Sequence, residues 1–421
     1  PALELARLSR RAAGLLPAEA LTWSFSPADL RQWISPFLVP LSSFHPAADW
    51  WKCVYLGLAA SAAALLGLGR LPRRRALALA ALLAAVAVLI LGGTNPLSRR
   101  LWTAGLSPLR LVRYPGNVSF LALLPLAALV GAGLSAAPAA PAWTLLMAAE
   151  LLAFGWRSTP LAPRALFTEA GPLVRVLQAR LEGTRYLISP RALETVGGRS
   201  VRDWKFRLYG LTNAPYRLRA VGNFGEPLVP EKSYAFMDRL YGEPGPAAAA
   251  AWMPWAGASR LLTPQPPPPT PRLAPERKTL WDVSRVSPRA ALAYRLSPEA
   301  GAALPADLPA SAPKPGEPLA EVRPRADRFR ISGRGAGWVF VSEPLYPGWA
   351  ATLETPLGEG DVEPLPALGP FMKVPVPRGP WVLRFRYDPL SWRLGVLISL
   401  AALLGFGGYW YHRAAGGAPP A

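Results

Sequence analysis

Cysteine and histidine are almost missing from this 421-residue chain: Cys53 is the lone thiol, and His45 and His412 are the only imidazoles. One thiol has no partner, so a disulfide framework within the chain is excluded. A His/Cys zinc site is nearly excluded for the same want of ligands. Charge is scarce too. Charged residues make up 17%, against about 25% in an ordinary soluble domain. Acids are the scarcer sign, with 26 Asp and Glu against 46 Lys and Arg, a formal net charge of +20. No P-loop, no G-x-G-x-x-G segment and no Ser/His/Asp ordering stands out. Apolar and ring residues are abundant instead: 51% of the chain is hydrophobic, 16 residues are Trp, and the mean hydropathy is +0.19. That excludes a wholly disordered chain. The length allows two or three domains at roughly 150 residues each. The basic surplus fits nucleic acid, anionic lipid or simply an Arg-rich genome, and its distribution has to decide.

The apolar residues are concentrated in five runs. Residues 51–69 hold one charge, Lys52; 76–93, 117–137 and 394–411 hold none; 142–156 hold one, Glu150. A helix of about 20 apolar residues crosses the hydrocarbon core. Four runs reach that length, and 142–156 does so only if 136–141 are drawn into it. Burial inside a soluble helical protein is the competing reading, but five runs with so little amphipathicity are hard to bury. The segment 70–75 reads RLPRRR, a positive-inside signal that puts it in the cytoplasm. Residues 1–50, 94–116 and 157–391 then lie outside, and 412–421 form a cytoplasmic tail. Arg99, Arg100, Arg110 and Arg113 in the outer loop resist this assignment, as topology signals of the reverse sense or as functional groups. The chain opens at Pro1 without a signal-peptide pattern, so a longer parent with further upstream membrane segments is expected.

Between the fourth and fifth runs the pattern becomes polar. Helical spacing is predicted over 173–181, and short apolar runs follow at 185–189, 204–209 and 216–221. The stretch 264–275 holds seven prolines and is predicted to be an extended surface linker. After an Ala/Pro-rich link at 302–318, alternating runs at 319–323, 328–332, 337–342, 349–354, 371–376 and 380–387 give a strand signal. In the last, Leu383, Phe385 and Tyr387 share one face and Arg384 and Arg386 the other. Gly333–Gly337 is read as a hairpin turn. Tyr346-Pro347-Gly348-Trp349 suits a type II turn, with Pro second and Gly third. Trp349 then opens a strand with its ring in a core. Sugar stacking by Trp338, Trp349 or Trp381 is the alternative, but core burial is the commoner fate of strand tryptophans. The fold class expected is a membrane α-helical bundle plus an extracytoplasmic α/β region ending in an antiparallel β-sandwich. Its parts are an outer loop (1–50), four transmembrane helices (51–156), a mixed outer domain (157–318), the sandwich (319–391) and a last transmembrane helix (394–411). A β-barrel closure is not distinguished.

The segment Ser342-Glu343-Pro344-Leu345-Tyr346-Pro347-Gly348-Trp349-Ala350-Ala351-Thr352 resembles the YPGW-x-A segment of YfhO-type bacterial membrane proteins. The run Val374-Pro375-Val376-Pro377-Arg378-Gly379-Pro380-Trp381-Val382-Leu383-Arg384-Phe385-Arg386-Tyr387-Asp388-Pro389 is similar to the stretch that follows in that family. Gly395-Val396-Leu397-Ile398-Ser399 then matches the opening of its terminal helix, and Arg113-Tyr114-Pro115 its R-x-P before a membrane helix. Order and spacing persist over some fifty residues, while 1–240 match more loosely. The family is similar to GT-C glycosyltransferases, which use polyprenyl-phosphate sugars outside the membrane. The resemblance therefore implies a multi-pass protein of the bacterial cytoplasmic (inner) membrane. Its implied partners are membrane lipid, a polyprenyl-phosphate sugar donor and a cell-envelope glycan or polymer acceptor. A non-enzymatic scaffold or transport partner in envelope polymer assembly is the second reading. GT-C enzymes carry their catalytic carboxylate in the first outer loop, upstream of what this chain covers, so the chain alone is expected to lack it. A divalent metal is left open as a cofactor of the full-length protein.

Candidate residues follow. Arg110, Arg113 and Tyr114 sit just before a membrane helix on the proposed outer face. Guanidinium matches a lipid phosphate bidentately there, with Asn117 and Ser119 as further donors near the helix start; snorkelling to headgroups is the competing reading. Glu150 lies inside an apolar run, where a charge is costly and a functional role is the default hypothesis. A structural Glu, neutral or Arg-paired, is equally consistent, since residues 51–156 hold nine Lys and Arg and no other acid. Asp29 and Asp49 are weak candidates for a general base or metal ligand, and Asp49 beside Trp50 and Trp51 fits an interfacial anchor better. No metal site is assigned to this chain. Nucleic acid is not expected as a partner, because the arginines are scattered along strands and membrane ends. The basic surplus over 157–391 has no assignment.

Overall fold

The structure, a computed structural model, describes residues 7–9, 12, 15–29, 55–104, 114–135, 137, 139–158, 163–194, 201–208, 210–222, 229–265, 267, 270–279, 281–286 and 290–415. The chain divides into two compact units. One comprises Arg11–Leu166 and Gly198–Val201; the other comprises Pro1–Arg10, Phe167–Gly197 and Arg202–Ala421.

The first unit is helical. Its main elements are α1 (Leu58–Arg70), α2 (Arg73–Leu91), α3 (Pro96–Thr103), α4 (Leu123–Ser135) and α5 (Ala140–Ser158), with 3-10 segments at Gly92–Thr94 and Pro115–Ala122. Arg73–Thr94 and Pro115–Ser135 are long and apolar enough to cross a membrane, while Leu58–Arg70 and Ala140–Trp156 are shorter. The run expected at 51–69 is helical from Leu58 because Gly57, at φ 102°, holds a backbone that helical residues do not adopt. Asn95 starts α3: its side chain accepts from Leu97 N at 2.9 Å, and Pro96 fills the first helical position, where no N–H is needed.

Small residues set the packing of α1 on α4. The buried stripe of α1 is Ala59, Ala60, Ala63, Ala64 and Gly67, and that of α4 includes Leu129 and Gly133. The two backbones touch: a Cβ on Gly67 would stand 1.9 Å from Leu129 O, and one on Gly133 would stand 2.0 Å from Ala63 O. Small residues along both faces are what allow the two backbones to approach this closely. A separate cluster of Phe25, Val86, Ile90, Trp102 and Val118 packs α2 and α3 together. Large side chains such as Leu65, Leu124, Leu145 and Trp156 are bare.

The second unit holds three five-stranded sheets. The first comprises β1 (Arg185–Ile188), β2 (Arg219–Ala220), β3 (Ala258–Thr263), β4 (Leu273–Lys278) and β5 (Asp282–Val286). It is mixed, with β2 and β3 parallel to β1 and with β5 antiparallel to both β3 and β4. The second sheet comprises β6 (Ala293–Leu296), β7 (Glu317–Leu319), β10 (Gly337–Val341), β13 (Leu365–Ala367) and β14 (Phe371–Val376). The third comprises β8 (Glu321–Arg325), β9 (Arg328–Arg334), β11 (Trp349–Thr355), β12 (Gly358–Val362) and β15 (Pro380–Tyr387). Both are antiparallel, ordered β13-β14-β10-β6-β7 and β12-β11-β15-β9-β8. The main helices are α6 (Pro172–Arg180), α7 (Glu231–Gly242), α8 (Pro298–Ala303) and α9 (Leu390–Ala415).

The second sheet is buried on both faces. Tyr294, Leu296, Phe340 and Phe371 share a cluster with Leu261, Val286, Phe236, Trp252 and Trp255. Their neighbours Ala293, Val339, Val341, Met372 and Val374 share another with Ile331, Leu383 and Phe385 of the third sheet. A strand with two buried faces reads as a continuous apolar run, which is why β10 is GWVFV. The third sheet is buried on one face only, so β15 alternates: Trp381, Leu383 and Phe385 are buried, Arg384 and Arg386 exposed. Lys373 is the polar intruder on β14, and its Nζ donates to the carbonyls of Gly301 and Leu304 at 2.7 Å each, closing the end of α8.

Three local expectations change. The glycine segment at 333–337 is not a hairpin turn: β9 and β10 belong to different sheets, and the segment carries the chain from one to the other. Gly337 takes φ 145°, with Leu296 O only 2.1 Å from where a Cβ would be. The proline-rich stretch is not wholly surface: Leu273 is 1% exposed and starts β4. Strand pairing also reaches upstream of residue 319, since β6 sits between β10 and β7. The Tyr346–Trp349 turn forms as expected, with Trp349 N donating to Tyr346 O at 3.2 Å and Gly348 at φ 109°. Trp349 is half-buried against Phe329 and Tyr387.

That turn also seats the last helix. Asp388 N donates to Gly348 O at 2.8 Å, and a Cβ on Gly348 would meet Pro389 at 2.6 Å. The Asp388 carboxylate accepts from Arg393 Nε at 3.0 Å and Arg386 Nη2 at 2.9 Å. The Arg393 hydrogen bond holds that carboxyl below its usual pKa, so the contact is complete at neutral pH. The apolar part of α9, Leu390–His412, is 23 residues long with none of its most apolar window buried.

Candidate functional site

The expected site residues fall in different states. Arg110, Arg113 and Asp49 lie outside the described residues. Tyr114 stacks on Trp23 with ring centroids 4.1 Å apart, and its carbonyl accepts from Asn117 N at 3.0 Å, opening the 3-10 segment. Asp29 accepts from Ser26 N at 2.6 Å and Ser26 Oγ at 2.9 Å, closing a short turn on itself. Glu150 accepts from Leu58 N at 2.6 Å, from Ala59 N at 3.0 Å and from the Tyr55 hydroxyl. It caps the N-terminus of α1 from across the bundle, where a carboxylate meets bare N–H groups and the positive dipole end. Among the described residues its partners are thus a tyrosine and backbone amides, not an arginine. The structure does not bring Asp29, Tyr114 and Glu150 together around one space.

The second unit contains a cleft of about 1040 Å³ that the sequence did not point to. One part of its wall is the mixed sheet, with Arg260 on β3, Glu276 on β4 and Arg285 on β5. Another is the 318–323 segment, with Glu321 and Arg323. Arg180, Glu182 and Arg219 complete the charged lining, so five guanidinium groups face three carboxylates. Arg260 Nε donates to Glu276 at 2.8 Å, and its Nη1 to the Ser259 carbonyl at 3.0 Å. Glu276 also meets Arg180 at 3.7 Å. Arg323 donates to Glu321 at 2.7 Å and to Glu343 at 2.9 Å, and its guanidinium lies 4.3 Å from the Phe329 ring centroid. Glu321 takes Arg219 as well, at 3.5 Å. Behind this wall, Arg185 on β1 donates to Ala256 O at 3.1 Å, to Glu343 at 3.0 Å and to Ser342 O.

The Arg323–Glu321 pair is well shielded, with side chains 10% and 5% exposed, whereas Arg180 and Arg219 stand more open. Burial disfavours the Arg323 cation, but the Glu321 hydrogen bonds and the Glu343 charge more than offset it, so its pKa lies above the ordinary value. Burial acts more strongly on Arg185 and draws its pKa down, with Glu343 opposing. Arg285 differs from the rest. It is exposed, and no ion pair or hydrogen bond engages its side chain among the described residues. The arginines that line the cleft come from helix end, strand and link, spread over more than a hundred positions, so no local motif announces them. The one available signal is Arg260 inside the otherwise uncharged run of β3. Among the described residues no group of three or more His, Cys, Asp or Glu side chains could share a metal ion.

Comparison with protein-family models, with curated proteins and with solved structures finds no match.

Proposed function

We propose that this chain is part of a multi-pass protein of the bacterial cytoplasmic membrane that takes part in transferring a lipid-linked sugar to a cell-envelope glycan, as its resemblance to YfhO-type proteins implies. In this reading the sheet unit stands outside the membrane and its second and third sheets form a β-sandwich. The observation that carries the membrane part is α9: Leu397, Ile398, Leu404 and Phe406 are all more than 60% exposed. A bare apolar helix of about 35 Å, at 1.5 Å per residue, matches the hydrocarbon thickness. The two described carboxylates that were candidates for chemistry both serve as caps. In this reading these two carboxylates hold and position, and bond-making falls to other residues. That division keeps the scaffold reading as the alternative.

Glu150→Ala and Asp29→Asn in the full-length protein test this division. Loss of the α1 cap is expected to cost about 2 kcal/mol and to lower the amount of folded protein. Sugar transfer per folded molecule stays at the wild-type value in both variants. A large fall in transfer per molecule, at normal abundance, gives one of these carboxylates a chemical role and overturns the division.

A further inference from the structure

We infer that the arginine-lined cleft is a binding site for an oxyanion, the phosphate or carboxylate of a ligand large enough to occupy much of its 1040 Å³. The inference does not depend on the sugar-transfer reading.

The charge balance is the first argument. Of the three cleft carboxylates, two, Glu276 and Glu321, are each shared between two cleft arginines, so the five arginines still outnumber the acids. Arg285 is left over. It stands directly opposite Arg260 in the β3–β5 register, so both side chains rise from the same face of the sheet. Like charges at directly opposed strand positions destabilise a sheet; Glu276 on the neighbouring β4 pairs with Arg260 at 2.8 Å, and no ion pair among the described residues includes Arg285. An anion between the two guanidinium groups removes that repulsion and converts it into binding.

Preorganisation is the second. Arg260 is 8% exposed and held at Nε and Nη1, which leaves further N–H donors of the five that a guanidinium carries. Arg323 is held by two carboxylates and by the Phe329 ring. Guanidinium groups fixed in this way lose little entropy on engaging an oxyanion, and their fork geometry suits bidentate contact with phosphate or carboxylate. The cleft size is the third: it is at the upper end of small-ligand sites, so the anion is expected to be one group on a larger molecule.

The test is calorimetry on the purified full chain in neutral detergent at low salt. The probes are inorganic phosphate, glucose 1-phosphate, a trigalacturonate and neutral maltotriose. At least one anionic probe is expected to bind, weakening as salt is raised, while maltotriose does not. Arg285→Glu is expected to weaken binding about tenfold or more, because it replaces a donor with a like charge. Arg330→Glu, an exposed change on β9, leaves binding unchanged. Because Arg285 is exposed and opposes Arg260, the variant is expected to melt at or above the wild-type temperature, and Arg285→Ala provides a second variant with no new charge. Binding of glucose 1-phosphate identifies a phosphate ligand and binding of trigalacturonate a carboxylate ligand; binding of inorganic phosphate alone marks the oxyanion itself as sufficient. Absence of binding by every anionic probe, or equal affinity in wild type and both Arg285 variants, overturns the inference.

Discussion

Gly133→Leu is expected to separate α1 from α4, whereas Gly131→Leu, two residues away on the same helix, is expected to be nearly silent. The contrast follows from what each new Cβ would meet. At Gly133 it would stand 2.0 Å from Ala63 O and 3.1 Å from Gly67 N, and at Gly131 nothing lies within 4 Å. Backbone cannot rotate aside as a side chain can, so the helices must part by more than an ångström. Separation removes the contacts of Ala60, Ala63, Ala64 and Leu129 along the whole seam. Overpacking of this kind costs about 3 kcal/mol or more. Thermal melting of the detergent-purified protein is the check. A clear drop for Gly133→Leu with a near-wild-type Gly131→Leu is the expected result. Equal melting temperatures would contradict the backbone seam.

Arg185→Met is expected to be the most damaging single change in the sheet unit. The Arg185 side chain is 14% exposed. It joins β1 of the mixed sheet to the Ser342 carbonyl and the Glu343 carboxylate just beyond β10. It also holds Ala256 O, in the turn before β3. Methionine matches the stem but leaves both carbonyls unpartnered and gives Glu343 only Arg323. Removing one member of a buried charged network costs about 3 kcal/mol or more. Lysine is expected to recover little, since one ammonium cannot reach the same three acceptors in fork geometry. Arg330→Met, on the exposed face of β9, serves as the neutral control. A chemical-denaturation midpoint for Arg185→Met equal to that of the control would show that the network contributes nothing to the fold.

Periodicity carried most of the element assignments. The runs at 328–332, 337–342, 349–354, 371–376 and 380–387 correspond to β9, β10, β11, β14 and β15; β9 and β15 alternate because one face is buried, whereas β10 and β14, buried on both faces, read as short apolar runs between glycine and proline. The helical run at 173–181 corresponds to α6. What periodicity does not encode is pairing between distant strands. The glycine segment at 333–337 has the composition of a hairpin turn, yet its flanking strands pair elsewhere, β9 with β15 and β10 with β14. β12, GEGDV, has no apolar signal at all and exists because it extends β11 at the sheet edge. The length of α1 was hidden for a different reason: Gly57 interrupts an unbroken apolar run through its backbone angle, and the capping carboxylate comes from residue 150. The cleft was least legible. Its charged residues are ordinary arginines one by one, and only the fold shows that Arg260 and Arg285 are neighbours.

We propose that the protein participates in adding a sugar to an envelope glycan. Mass analysis of envelope glycans tests it most directly, in cells that lack the full-length protein and in cells where it is restored. The expected result is loss of one sugar substituent from a defined envelope polymer on deletion and its return on complementation. Identical glycan masses in the two strains, under conditions where the wild type expresses the protein, would contradict the claim and favour the scaffold reading.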